Sequence, residues 1–341
     1  RQAKPAAIAI GLPERVPAVS PEPTPTPTSP ADTALRPSEV NSIAWGDLVA
    51  ELDGCRADEN GPAISGITLD SRQVRHGDLY VGLHGLHAHG ARFAGSAAQS
   101  GAVAVLTDDE GATLAADAGV PIIVVPDARA AMAVAAAKIF GHPADAMTMF
   151  GVTGTNGKTT TAFLVEAGLR AAGRHVGTIG TIGFQLDGVE LPSARTTVTT
   201  PEAPDLQGLF GAMAERGATD VVMEVSSHAL ALQRVDGTRF DVAAFTNLGR
   251  DHLDFHKTLD DYFEAKARLF TSNLARLGVI NVDDPRGRQL VERMQASGVT
   301  AVTTSIHEPS DYQVTSWHPG PHGAVLEVTT PSGERTLELS L

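Results

Sequence analysis

The residues with the sharpest chemical pattern are Gly151-Val152-Thr153-Gly154-Thr155-Asn156-Gly157-Lys158-Thr159-Thr160-Thr161, set between a predicted strand and a predicted helix. The three glycines permit tight turns that aim backbone N–H groups at phosphate oxygens. The helix N-terminus adds the positive end of a dipole, and Lys158 can reach terminal phosphates. The Thr159 hydroxyl is then placed to hold Mg²⁺. Strict phosphate-loop spacing wants a glycine where Val152 stands, yet a loop running from strand into helix keeps the mechanics. The competing reading is a Gly/Thr-rich turn with an incidental lysine. Two further side chains sit where a metal-bound triphosphate needs them. Glu224 closes the apolar run Val221-Val222-Met223, and His252 follows a strand ending at Thr246. In doubly wound sheets ligands gather at the carboxyl ends of strands, so both can reach Mg²⁺ beside the loop. Taken singly, the glutamate reads as a solvated or capping carboxylate and the histidine as a packed or surface residue.

These side chains need a scaffold, and 341 residues suffice for two domains with separate cores. No run approaches the roughly 20 apolar residues of a membrane helix, which argues against membrane insertion. The single cysteine, Cys55, excludes an internal disulfide or thiolate metal cluster and fits a cytoplasmic protein. A formal charge of -14 without a visible basic patch opposes nucleic-acid binding.

Nine of the 21 prolines fall in residues 1–37, which read as a disordered Pro-rich tail. Residues 38–144 read as a small α/β unit, with strands at Leu79–Leu83, Ala102–Leu106 and Pro121–Val125 and helices at Ala91–Ser100 and Ala128–Phe140. Residues 145–341 read as a second, doubly wound and mostly parallel unit. Its strands are expected at Met147–Val152, Asp220–Val225, Asp241–Thr246 and Val279–Val282, with a helix at Thr159–Ala172. A terminal hairpin turns at Pro331-Ser332-Gly333.

The phosphate loop, together with Met223-Glu224-Val225-Ser226-Ser227-His228-Ala229-Leu230, the segment Asn247 to His256 and Tyr262-Phe263-Glu264-Ala265-Lys266-Ala267-Arg268-Leu269-Phe270, resembles the Mur ligases. Within them it is most similar to the branch that adds the third peptide residue. Leu69-Asp70-Ser71-Arg72 and Gly77-Asp78-Leu79-Tyr80-Val81 resemble that branch's uridine-binding N-terminal domain. The resemblance implies an ATP-dependent amide ligase acting on UDP-N-acetylmuramoyl-L-alanyl-D-glutamate through an acyl phosphate, with an amino acid as second partner. It assigns Gly154 to Thr160 and Asn281 to the nucleotide, Thr159 and Glu224 to one Mg²⁺, and His252 to a second. Ser71, Thr199, Thr200, Ser226 and Arg234 go to the nucleotide-sugar substrate. The family's glutamine near Leu232 is matched by Gln233, one place later. Lys266 reads by composition as a surface lysine on an amphipathic helix; the resemblance makes it a carbamate that ligands or orients the second Mg²⁺.

The resemblance also implies a C-terminal amino-acid-binding domain beyond the 341 residues. The residue added, meso-diaminopimelate or L-lysine, is then not decided within this chain, although the Ala-rich, Lys-poor composition favours diaminopimelate. Two other functions fit a phosphate loop: a ligase of the folylpolyglutamate type, and a nucleotide-binding fragment without turnover. The Ser71-Arg72 region and the Glu224 to His228 segment favour the first reading, because a folate ligase needs neither.

Overall fold

The computed structural model describes residues 35–85, 87–191 and 199–340. Residues 1–34, the bulk of the expected tail, lie outside the described residues. The N-terminal unit is a four-stranded parallel sheet in the order β1 (Gly66–Thr68), β2 (Asp78–Gly82), β3 (Ala104–Thr107) and β4 (Ile122–Val124). Helices α1 (Trp45–Val49), α2 (Ala94–Gln99), α3 (Asp109–Leu114) and α4 (Ala128–Ile139) surround it. The Asp127 carboxylate starts α4 by accepting from the N–H groups of Arg129 and Ala130. Such a cap satisfies donors that have no partner within the helix.

The second unit interleaves β5 (Thr148–Thr153), α5 (Lys158–Ala171), β6 (Val176–Gly180), β7 (Gly183–Leu186), β8 (Val189–Glu190), α6 (Ala203–Glu215), β9 (Asp220–Glu224), α7 (Ser227–Ala231) and β10 (Phe240–Phe245). There follow α8 (Leu259–Ala267), β11 (Ala275–Asn281), α9 (Pro285–Ser297), β12 (Thr300–Ser305), β13 (Tyr312–Gly320), β14 (Gly323–Thr330) and β15 (Gly333–Ser340). The sheet has eleven strands in the order β15-β14-β13-β12-β11-β10-β5-β9-β6-β7-β8. From β6 to β13, by way of β9, β5, β10, β11 and β12, every pairing is parallel; both margins are antiparallel. The expected doubly wound architecture and terminal hairpin are therefore present.

Sheet order fixes the site. β5 lies between β9 and β10, with Val152 opposite Glu224 and Thr153 opposite Phe245. The loop leaving β5 therefore emerges between Glu224 and Thr246. Beneath it, Phe210, Phe240, Phe245, Phe263 and Phe270 belong to one continuous core.

Residues 35–37 correct the tail assignment, because they belong to the folded body. Leu35 packs against the core of the second unit. The Arg36 guanidinium reaches into the first, donating to both oxygens of Asp78 at 2.7 and 3.0 Å and to the Ile67 carbonyl at 3.0 Å. The Glu215 carboxylate at the end of α6 accepts from the backbone N–H groups of Ser38 and Glu39. A Pro-rich composition gave no sign of this strap, since its partners lie far away in sequence.

Arg36 and Asp78 are both buried, with side-chain exposures of 8% and 2%. Removing one partner of such a pair strands the other charge in a poor solvent. Arg36→Ala is expected to lower stability by about 3 kcal/mol or more, read as a drop in the urea midpoint. A change below about 0.5 kcal/mol, the scale of an ordinary surface substitution, would show that the strap holds nothing.

Candidate active site

The phosphate loop needs backbone shapes that only glycine adopts cheaply. Gly154 has φ 149° and Gly157 has φ 83°, and a Cβ on Gly154 would stand 1.9 Å from Thr246 Oγ1. The far side of the loop is held by Asn247, just beyond β10. Its side-chain oxygen accepts from Asn156 N–H at 3.0 Å and its Nδ2 donates to the Asn156 carbonyl at 3.1 Å. The Thr246 hydroxyl donates to that same carbonyl at 2.7 Å. The loop is thus fixed by its neighbouring strand before any ligand arrives.

A cavity of about 210 Å³ opens beside it, lined by Thr155, Asn156, Gly157, Lys158, Thr159, Thr181, Thr199, Glu224, Ser226, Ser227, His252, Tyr262 and Lys266. Ten of the residues singled out in the sequence fall within this set. Lys158 Nζ donates to the carbonyls of Gly154 and Thr155, both at 3.0 Å. Burial lowers its pKa, opposed by the charges of Glu224 and Asp251. Thr159 donates its hydroxyl proton to Glu224 Oε1 at 2.9 Å, which leaves the hydroxyl lone pairs free toward a cation. Glu224 is itself buried. His252 sits in the left-handed region at φ 51°, its ring edge-on to His228 at 4.8 Å and to Tyr262 at 6.1 Å.

Lys266 reverses the surface reading. It is 1% exposed, with Nζ donating to the Gly154 carbonyl at 2.8 Å and lying 4.5 Å from the centre of the Tyr262 ring. Local sequence accounts for the helix that does this. Thr258 and Asp261 form a capping box at the start of α8, and from there Tyr262 and Lys266, four residues apart, share the inward face. Burial, reinforced by the nearby Lys158 charge and opposed by Asp251, pulls the Lys266 pKa down to about 7.

Other predicted residues lie outside this cavity. Ser71 occupies the turn after β1 in the N-terminal unit, beside the Asp70 carboxylate that accepts from Arg72 N–H. Thr200 is buried; its hydroxyl donates to the Glu224 carbonyl at 2.9 Å and accepts from Ser226 N–H at 3.1 Å, so it pins two loops together. Arg234 donates to the Thr200 carbonyl at 3.0 Å and pairs with Glu202 at 2.8 Å. Its buried Nε has no partner among the described residues. Thr160 is exposed on the first turn of α5. Gln233 donates to Asp127 Oδ2 at 3.1 Å and so joins the second unit to the cap of α4. Asn281 lines a separate, largely apolar cavity of about 870 Å³ that meets the first at Asn156 and Gly157. Its amide donates to the Thr246 carbonyl and accepts from Asp283 N–H.

Sequence reasoning gave no role to Thr181, Asn247, Tyr262 or His256. Tyr262 lies 3.3 Å from Thr155 Oγ1, and His256 Nε2 lies 3.0 Å from Ser227 Oγ. Asn247 and Tyr262 stand inside segments already noted for their pattern, so position alone could have raised them; Thr181 carries no such signal.

Residues 152–341 match the model of the Mur ligase middle domain, and residues 63–139 match that of the Mur ligase family catalytic domain. The chain belongs to the Mur ligase family. It is 48% identical over 300 residues to a UDP-N-acetylmuramoyl-L-alanyl-D-glutamate–2,6-diaminopimelate ligase of Streptomyces coelicolor, covering 88% of this chain and 58% of that one. A protein of the same name from Corynebacterium glutamicum is 46% identical over 312 residues, covering 89% and 59%. The chain thus spans less than three fifths of the length of these curated relatives. A solved diaminopimelate ligase superposes with a TM-score of 0.74 at 29% identity, covering 88% of this chain and 60% of that one. A MurF ligase from Thermotoga maritima, solved with ADP, shares the fold at TM-score 0.54 and 23% identity, covering 81% and 58%. Among the described residues no helix is long and apolar enough to cross a membrane.

Proposed function

We propose that the protein carrying this chain is a cytoplasmic ATP-dependent amide ligase of peptidoglycan precursor synthesis, which adds meso-diaminopimelate to UDP-N-acetylmuramoyl-L-alanyl-D-glutamate. The observation that carries this reading is the convergence of Lys158, Thr159, Glu224 and a buried Lys266 on one cavity. The choice of amino acid is supported by the names of the relatives from Streptomyces and Corynebacterium.

The residues fit the groups they would hold. Thr159 and Glu224 are hard oxygen donors suited to Mg²⁺. Mg²⁺ commonly takes one or two protein oxygens and completes its shell with phosphate oxygens and water, a share that these two side chains would supply. His252, and Lys266 as a carbamate, would hold a second ion. Bound there, Mg²⁺ neutralises charge on the phosphoryl oxygens. A lysine reacts with CO₂ through its neutral amine, and a pKa near 7 keeps a large neutral fraction at physiological pH. The Ser226 and Thr199 hydroxyls, and the part-exposed end of the Arg234 guanidinium, can donate to anionic oxygens of the nucleotide-sugar substrate. Ser71 would do so from the uridine side, while the Asn281 cavity offers room for the adenine. Gly154 to Thr160 would cradle the ATP phosphates.

In this scheme the substrate's γ-carboxylate oxygen attacks the terminal phosphorus of ATP and ADP leaves. The incoming neutral amine then attacks the acyl carbon, the C–O bond to phosphate breaks, the amine proton leaves with the phosphate as hydrogen phosphate, and an amide remains. No protein nucleophile is required, so the chain's work is positioning and charge stabilisation. The test incubates the protein that carries this chain with ATP, Mg²⁺, the UDP-linked dipeptide and either diaminopimelate or L-lysine, with products identified by mass spectrometry. A UDP-muramoyl tripeptide containing diaminopimelate is expected. Turnover of a folate substrate instead, or no affinity for the UDP-linked dipeptide, would overturn the reading.

A further inference from the structure

We propose that Thr181 couples the anionic-substrate site to the metal site, as a positioning residue acting through Glu224. The inference rests on the reading of Glu224 as a Mg²⁺ ligand and Thr199 as a substrate contact. Thr181 immediately follows β6, at the strand end facing Glu224. Its backbone N–H donates to Glu224 Oε1 at 2.8 Å and its hydroxyl to Oε2 at 3.2 Å. With Thr159 also donating to Oε1, both carboxylate oxygens are fixed. The approach is close enough that a Cβ on Gly180 would stand 2.3 Å from Oε1.

The same Thr181 hydroxyl lies 3.2 Å from Thr199 Oγ1. A hydroxyl has one proton to give. Since Thr181 gives its proton to Glu224, the bond to Thr199 uses the Thr199 proton, and the chain runs from Thr199 to Thr181 to Glu224. An anionic oxygen arriving at Thr199 needs that same proton. Once Thr199 turns toward the anion, Thr181 loses the donor that polarises its own O–H group, and its bond to Glu224 weakens. More negative charge then remains on Glu224 for a cation. Anionic substrate therefore raises cation affinity, and by linkage the cation raises substrate affinity to the same degree.

The test measures Mn²⁺ binding to the ADP-bound chain by electron paramagnetic resonance, with and without saturating UDP-N-acetylmuramoyl-L-alanyl-D-glutamate. The native chain is expected to bind Mn²⁺ about fivefold more tightly when the UDP-linked dipeptide is present. Thr181→Val keeps the backbone donor and the branched shape but lacks the hydroxyl, and its ratio is expected to fall to about one. Thr181→Ser should restore the native ratio. Thr181 is exposed, so valine opens no cavity, and a purely structural role would not move this ratio. If native protein binds both probes without coupling, or Thr181→Val keeps the native ratio, the inference is wrong and the proposed function stands. If native protein binds neither probe, the proposed function falls and the inference falls with it.

Discussion

Lys266→Met is expected to abolish ligation while making the fold more stable at neutral pH. The amine is held at a pKa of about 7, against about 10.4 in an unfolded chain. Between these values the unfolded state binds more protons than the native state, so native stability rises with pH. Below pH 7 both states carry the charge and the destabilisation is complete; above about pH 10.4 it is gone. At about 1.4 kcal/mol per pKa unit, the cost near pH 7 is on the order of 4 kcal/mol. Methionine fills a similar volume without the charge, and the Gly154 carbonyl keeps its second donor, Lys158 Nζ. Urea melts in CO₂-free buffer should show the variant more stable than the native chain at pH 7, with a gap that narrows by pH 9.5. In the protein that carries this chain, activity should fall by about a hundredfold or more. Acetate or formate should restore part of it in Lys266→Ala, where a carboxylate can occupy the gap. A Lys266→Met variant that ligates normally, or that is less stable at pH 7, would defeat the argument.

That lysine also marks where sequence reading stops. The phosphate loop is legible because its chemistry is written in consecutive residues, Gly154 to Thr159, between two elements of opposite period. Glu224 is legible because it ends an apolar run. Lys266 is not, because its burial depends on how the inward face of α8 meets the loop after β5, over a hundred residues away; only a motif could suggest it. Thr181 is missed for a related reason. A threonine after the Gly-rich run Gly177 to Gly180 has no local signature, and its partner Glu224 comes from a different strand. Arg36 is lost against a Pro-rich background although its partner, Asp78, lies in a segment that was singled out. Helix α6 hides behind Pro204, Gly208 and Gly211, residues that weaken a helical pattern, yet proline is tolerated in a first turn and the face carrying the glycines lies against the strap.

Lys158→Ala should remove nucleotide-dependent phosphate release while leaving the fold in place. Lys158 rests across the loop, donating to the carbonyls of Gly154 and Thr155. Those acceptors keep its ammonium satisfied until phosphate oxygens compete for it. A charged group gains more from a short, charge-assisted bond to an anion than from a neutral carbonyl, so the side chain can leave the loop without a large cost. The gain is greatest where charge shifts during transfer, and loss of such a donor costs about 3 kcal/mol, or roughly a hundredfold in rate. The loop itself should survive, because Thr246 and Asn247 hold Asn156 from β10, and the Gly154 carbonyl still receives Lys266. ADP affinity should accordingly fall less than turnover does, since the backbone amides and Thr159 remain. Lys158→Arg distinguishes charge from shape: the planar guanidinium keeps the charge but presents it as a wide fork rather than a compact point, so it should rescue binding better than turnover. Phosphate release in the protein that carries this chain, and calorimetric ADP binding to the chain itself, measure the two effects separately. Turnover within threefold of native in Lys158→Ala would mean that the loop's lysine does not touch the transferring group.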